Sequence, residues 1–288
     1  MVAKCQHLQR LLLCDYCIFV LLKSAFMNIP FYKFHGTGND FIMVDNRNDI
    51  MSKNNTKLVN DLCHRRFGIG ADGLILLENS EITSEDFKMI YYNSDGNQSS
   101  MCGNGGRCLV AFAKLLGIIN EKATFSAIDG LHEATIDGDI VSLKMQDVLA
   151  KGINEEELFL DTGSPHHILF SDEVGDINVK RDGAAIRYSD KYESSGGTNV
   201  NFVQQTNADT FLVRTYERGV EDETYSCGTG VTAVAIAVNA IGKTDADYIN
   251  LETPGGKLEV SFEIDNGTYY NIWLTGPTAK VFKGEFEC

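Results

Sequence analysis

Cys102-Gly103-Asn104-Gly105-Gly106-Arg107-Cys108 and Cys227-Gly228-Thr229-Gly230 share one pattern, Cys-Gly-x-Gly, and each runs directly into an apolar segment. The first continues as Leu109-Val110-Ala111-Phe112-Ala113 and closes at Gly117; the second runs from Val231 to Ile241 and closes at Gly242. Segments 109–116 and 231–241 are apolar nearly all round, and a helix without a polar face belongs inside a protein. A glycine-rich turn that opens such a helix presents unpaired N–H groups and the positive end of the helix dipole. That is a place to bind a carboxylate, and one where a thiol loses its proton more readily. Two such turns in one chain lead to the expectation of a matched acid and base acting on an anionic substrate.

The surroundings of the two turns repeat as well. Gly130 follows Cys102 by 28 positions and Gly256 follows Cys227 by 29, each closing a strand that begins near residue 124 or 250. Turns at Asp137-Gly138 and Asp265-Asn266-Gly267 come next, and upstream Asn39-Asp40-Phe41 is echoed by Asn199-Val200-Asn201-Phe202. Two units read as a duplication rather than a solenoid. Gly152 and the glutamates at 155–157 interrupt the pattern, placing one half at 30–148 and the other at 149–288. Strands are expected at 31–35, 41–45, 74–77, 87–92, 133–145, 211–216, 257–264 and 269–274, and a helix at 56–67 capped by Gly68. The expected fold is α/β, of the α+β kind. It has two pseudo-symmetric halves, each a curled β-sheet or barrel around a central apolar helix, with the active site in the cleft between them.

Composition narrows the partners. Forty acidic against 25 basic residues leave a formal charge of −15, which argues against a nucleic-acid surface. An acidic protein can still hold a locally positive pocket for a small anion. Eight cysteines lie at 5, 14, 17, 63, 102, 108, 227 and 288, in a chain long enough to fold without a disulfide framework. Free thiols in a reducing, cytoplasmic setting follow. The apolar run 11–22 is broken by Asp15 and too short to span a bilayer, so no membrane is expected. Cys14-x-x-Cys17 lacks a second ligand pair at zinc-finger spacing, and no metal site is assigned. Residues 1–29 read as an extension outside the fold, with Met27 a natural start.

Two facing thiols suit one kind of chemistry. Moving a proton off one face of a carbon and onto the other needs a base on one side and an acid on the opposite side. A cysteine whose pKa is lowered by a helix N-terminus can do either near neutral pH, which points to racemisation or epimerisation beside a carboxylate. Arg218, in Thr215-Tyr216-Glu217-Arg218-Gly219, suits a second substrate carboxylate. Ser164-Pro165-His166-His167 offers an imidazole to tune a thiol, and Asn39, Asn93 and Asn199 can hydrogen-bond an amine or carboxylate. Cys63 and Cys108 read as inert packing, Cys288 as a tail residue, and His7, His35, His64, His132 and His167 carry no assignment.

From Phe31 to Phe282 the chain resembles the diaminopimelate epimerases. The resemblance rests on F-H-G-T-G-N-D-F (34–41), G-I-G-A-D-G (68–73), Y-N-S-D-G (92–96) and M-C-G-N-G-G-R-C (101–108). It continues through G-S-P-H (163–166), G-T-N-V-N-F-V (197–203), Y-E-R-G (216–219) and S-C-G-T-G (226–230). It implies a cofactor-independent epimerase, needing neither pyridoxal phosphate nor metal, that interconverts LL- and meso-2,6-diaminopimelate in lysine and peptidoglycan precursor biosynthesis. It implies Cys102 and Cys227 as the acid/base thiols, with His166 and Glu217 tuning them. Amides at Gly103-Asn104 and Gly228-Thr229 would hold the reacting carboxylate, with Asn39, Asn93, Asn199, Glu217 and Arg218 around the rest of the substrate. It also implies a homodimer. Many members have Asn where Ser164 stands, which keeps Ser164 as a pocket residue, and Gln where Gly73 stands, which has no side chain to offer. Proline racemases and hydroxyproline epimerases share the two-cysteine logic, but their substrate has one carboxylate and no use for Arg218. A binding protein without turnover is the reading from another class.

Overall fold

The computed structural model describes residues 28–99, 101–150, 152–154 and 158–287. Cys14-x-x-Cys17, Met27, the glutamates at 155–157 and Cys288 lie outside the described residues. The fold begins earlier than expected: Asn28 and Ile29 already belong to the first strand, and Ile29 is buried in a core.

Among the described residues seventeen strands form one continuous sheet that curls twice, each time around a helix. The first half carries β1 (Asn28–Gly36), β2 (Asn39–Asp45), α1 (Thr56–Cys63), β3 (Gly73–Glu78), β4 (Phe87–Asn93), α2 (Gly103–Leu115), β5 (Lys122–Ala127), β6 (Gly130–Asp137) and β7 (Ile140–Lys144). After β8 (Val148–Leu149) the second half follows, with β9 (Phe159–Asp161), β10 (Pro165–Phe170), α3 (Val179–Arg187), α4 (Asp190–Glu193), β11 (Asn199–Asn207), β12 (Thr210–Glu217), β13 (Asp222–Thr224) and α5 (Gly228–Ala240). β14 (Tyr248–Thr253), β15 (Gly256–Asp265), β16 (Thr268–Pro277) and β17 (Ala279–Glu287) complete the chain.

The duplication is visible in the ladders. β2 runs parallel to β3, β3 antiparallel to β4, β4 parallel to β5, and β6 and β7 follow antiparallel. β10, β11, β12, β14, β15 and β16 repeat that series with the same directions. β7 pairs with β16, joining the two curls, and β17 crosses back to pair with β1. Two sequence readings need correction. β11 is the counterpart of β3, not β2, so Asn199 corresponds to Gly73, and the echo of Asn39 by Asn199 is a coincidence of composition. The segment 133–145 is a hairpin, because Gly138 adopts φ 60° and reverses the chain.

Each central helix is apolar because strands surround it. Leu109, Val110, Phe112 and Ala113 of α2 pack with residues of β1 to β7, and Val231 through Val238 of α5 pack with β9 to β12 and β14 to β16. α1 is shorter than its pattern implied. A Cβ on Gly68 would collide with the Asp61 carbonyl oxygen, so this glycine permits a close chain crossing after the helix has ended at Cys63.

Candidate active site

Cys102 and Cys227 are the N-caps of α2 and α5, both with extended backbone, at φ −89° and −124°. Neither caps its helix with a side-chain hydrogen bond, so the first-turn amides remain available. Those of Asn104 and Gly105 face the Cys102 sulfur, and that of Gly230 faces the Cys227 sulfur. The helices meet end to end. A Cβ added to Gly228 would lie 3.4 Å from the Gly103 Cα and 2.9 Å from Leu274 Cδ2. Glycine at both first positions therefore lets two positive helix ends approach, one from each half.

The thiols are free, and their proton affinity differs from the sequence expectation. Burial outweighs the helix amides and pushes Cys102 up to about 11 and Cys227 up to about 12. Glu217 adds to both shifts; the amides, the Thr229 hydroxyl at Cys227 and Arg107 at Cys102 oppose them. Both cysteines therefore hold their protons at neutral pH. Glu217, largely buried at the end of β12, is itself raised by that burial.

His166 is fully buried on β10 and pushed down to about 3 by burial, with the Arg218 charge adding to the effect. It is a neutral imidazole. Asn201 Nδ2 lies 3.2 Å from both the His166 Nδ1 and the His167 carbonyl oxygen; the carbonyl can only accept, which fixes the amide orientation. Thr215 donates to Asn201 Oδ1 at 2.9 Å. His166 Nδ1 therefore accepts, and Nε2–H donates to Thr229 Oγ1 at 2.9 Å. Thr229 Oγ1 in turn stands 3.4 Å from Cys227 Sγ. His166 thus reaches the thiol through Thr229. In the first half Phe41 and Ile75 occupy the corresponding places behind α2, as a Cβ on Gly105 would meet them while one on Gly230 would meet His166 and Asn201.

The remaining expected residues fall into two clusters. Asn199 Nδ2 donates to Ser164 Oγ and to the Pro165 carbonyl, both at 2.9 Å, while its Oδ1 accepts the Arg218 backbone N–H at 2.9 Å. The Arg218 guanidinium reaches only the Gly197 carbonyl, at 3.4 Å, and no carboxylate among the described residues pairs with it. In the second cluster Asn104 donates to Asn39 Oδ1 at 2.5 Å and to Ser226 Oγ at 3.0 Å, and Asn39 donates to Asp72 Oδ2 at 3.1 Å. Thr37 Oγ1 and Ser226 Oγ lie 2.7 Å apart, so this cluster ties α2 to the residue before Cys227. Asn93 stands apart from both: exposed at the end of β4, beside Gly73, with no side-chain hydrogen bond among the described residues. The place left by Gly73 is filled, since a Cβ there would lie 2.5 Å from the Tyr91 ring.

Sequence reasoning missed Thr37, Asp72, Tyr91, Arg107, Asn201 and Ser226. Arg107 and Asn201 carried a signal, being polar residues within segments otherwise built for burial. A cavity of about 310 Å³ opens beside the helix ends, with Met101, Gly103, Leu131, Lys144, Thr162 and Thr229 in its wall. A larger one of about 440 Å³, beside Leu149, Phe159 and Tyr192, touches none of the candidates. Among the described residues no helix is long and apolar enough to cross a membrane.

The family model for diaminopimelate epimerase matches residues 31–148 and 158–281. The diaminopimelate epimerase of Flavobacterium psychrophilum is 61% identical over 253 residues, covering 88% of this chain and 98% of that protein. Those of Chlorobaculum tepidum and Aquifex aeolicus are 42% and 38% identical, covering 86% and 90% of the chain and 98% of each relative. Among solved structures, a PhzF-family phenazine biosynthesis protein of Bacillus anthracis superposes with TM-score 0.69, covering 90% of this chain and 99% of that one. A hydroxyproline epimerase of Agrobacterium vitis does so with TM-score 0.67, covering 90% and 92%. Both are 14% identical, a likeness of fold alone.

Proposed function

The chain belongs to the diaminopimelate epimerase family, and on that premise we propose that it interconverts LL- and meso-2,6-diaminopimelate with Cys102 and Cys227 as a two-base pair. The observation that carries this reading is the meeting of two cysteine-capped helix ends, one from each half, at Gly103 and Gly228. A substrate carboxylate bound at those amides would set its α-carbon between the sulfurs. One sulfur, as thiolate, takes the α-proton, and the C–H electron pair moves onto the carboxylate, where the helix amides spread its charge. The opposite thiol returns a proton to the other face and is left as the thiolate. The cycle runs on the pair with one of its two protons lost to solvent, and each turnover leaves that count unchanged. The chemistry calls on no cofactor, pyridoxal phosphate included.

In this reading His166 and Glu217 tune the thiols; Asn39, Asn93, Ser164, Asn199 and Arg218 receive the distal amino acid group, the unpaired guanidinium taking its carboxylate. The halves 30–148 and 149–288 act as two jaws. A homodimer and a cytoplasmic role in lysine and peptidoglycan precursor synthesis belong to the same proposal. Val281 and Phe282, exposed on β17 at the free edge of the sheet, are compatible with pairing. Sedimentation of the purified chain tests that part.

The decisive experiment follows the α-hydrogens of LL-diaminopimelate by NMR in D2O, under reductant and without added cofactor. Deuterium should enter one α-carbon as the meso isomer forms, and Cys102→Ala or Cys227→Ala should lower the rate by about 10²–10⁴-fold or more. Exchange with proline or hydroxyproline instead would move the substrate to the single-carboxylate racemases. No exchange with any of them would leave a binding protein.

A further inference from the structure

Arg107 lies wholly inside the protein, with no exposed surface, and no carboxylate among the described residues pairs with it. Its Nη2 donates to Thr37 Oγ1 at 3.1 Å and to Asn104 Oδ1 at 2.9 Å, while Nε and Nη1 are buried without a hydrogen-bond partner among the described residues. It sits in the second turn of α2, near the positive end of the helix dipole, where a cation is disfavoured. Burial, the dipole and two unsatisfied nitrogens all oppose a charge at this place. The architecture itself does not demand it. The equivalent position of α5, five residues after the cysteine, is Thr232, whose hydroxyl donates to the Gly228 carbonyl of its own helix at 2.9 Å. The same helix-in-sheet packing is therefore built with a neutral residue.

We propose that Arg107 is a positioning residue, the resident counter-charge that makes Cys102 rather than Cys227 the first of the pair to give up its proton in the free enzyme. Its Nη2 holds the Asn104 side chain, and the Asn104 backbone N–H faces the Cys102 sulfur; packed also against Gly36 and Gly276, the guanidinium acts through its field and not by touching the substrate. The other titratable groups that face Cys102 are Glu217 from β12, Tyr91 from β4, Cys108 from α2 and Cys227 from α5, none of them cationic. Behind Cys227 the corresponding groups are the neutral His166 and Asn201, which supply a hydrogen-bond relay, and a cation that bears on them is Arg218, half-buried beyond the end of β12. The two thiols are thus equivalent in backbone and inequivalent in electrostatics.

The inference builds on the two-thiol reading, yet its test does not require turnover. Iodoacetamide, an uncharged reagent, is applied at pH 8 to the full chain, and labelling of each cysteine is followed by peptide mass spectrometry. The thiolate fraction falls tenfold for each unit by which the pKa rises. Arg107→Met should slow labelling of Cys102 by about tenfold or more, with Cys227 changing less than about threefold. Arg107→Lys, which keeps the charge and loses the fork, should restore the wild-type Cys102 rate. Cys108, buried in the same helix, reports an opened fold; should it become labelled in Arg107→Met, Arg107→Gln carries the comparison. An unchanged Cys102 rate with Cys108 silent overturns the proposal, as does failure of Lys to rescue a folded protein. If epimerisation were absent altogether, the labelling pattern would still decide this point.

Discussion

Cys227 hears of His166 only through a hydroxyl, and that makes Thr229 a sensitive position. Thr229→Val removes the group that opposes the burial of Cys227, so that pKa rises further. The rising limb of the pH–rate profile should move to higher pH, and kcat at pH 7.5 should fall about tenfold, measurable by epimerisation assays from pH 6 to 10. His166 has a separate consequence for stability. Its folded pKa of about 3 lies below the ordinary value of 6.5. Between those limits the unfolded chain binds a proton that the native chain does not, so stability is complete above pH 6.5 and falls as pH falls, by about 1.4 kcal/mol per unit. Asp40 and Glu221, both held down at about 2 by arginine partners, add their loss only below the ordinary carboxylate values. The melting temperature should therefore decline more steeply from pH 6.5 to 5 in wild type than in His166→Gln. At this scale the sequence was a good guide to which residues gather and a poor one to their charge. Placing a cysteine at a helix N-terminus is a local fact, readable from Cys-Gly-x-Gly. Its desolvation depends on strands that lie a hundred residues away.

The two central helices depend on glycine where they touch. Gly228→Ala would push a methyl to 2.9 Å from Leu274 Cδ2 and 3.4 Å from the Gly103 Cα, and so wedge the helix ends apart. Leu274 can turn aside, so the fold should survive with a melting temperature within a few degrees of wild type. Displacing one thiol by a fraction of an ångström to an ångström should still lower kcat by about 10-fold to 10²-fold. A melt and a rate on the same preparation check both halves of that expectation. The helices themselves were legible from their unbroken apolar character, but not their first turns. Gly103 through Gly106 have weak intrinsic helix propensity and read as loop; burial between Leu143, Ile75 and Met101 makes them helical. Strand order was less legible still. Asn39-Asp40-Phe41 and Asn199-Val200-Asn201-Phe202 look alike as letters, and only the ladders reveal that they begin non-equivalent strands. Short strands such as β8, β9 and β13 have too few residues to carry any period.

Across the molecule, the closing interaction is the pairing of β1 with β17, which sets Phe31 against Phe282 and Phe286 with ring centroids 5.9 and 6.1 Å apart. Removing residues 279–287 would leave β1 with an open edge and uncover Phe31. A loss of about 3–5 kcal/mol, read as a melting temperature lower by about 10 °C or as insolubility on expression, is the expected result. The two-half plan was readable from repeated motifs; this return of the chain was not, because nothing in a strand's own residues names a partner so distant. It also sets a timetable. Asn28 is opposite Glu287, so on the ribosome the opening strand has no partner on that side until some 250 further residues have been made. At about 5–20 residues per second that is a wait of roughly 13–50 s, during which an apolar edge is open to any neighbouring nascent chain. The protein that carries two copies of one design thus cannot be finished one copy at a time: its birth, unlike its architecture, has no symmetry.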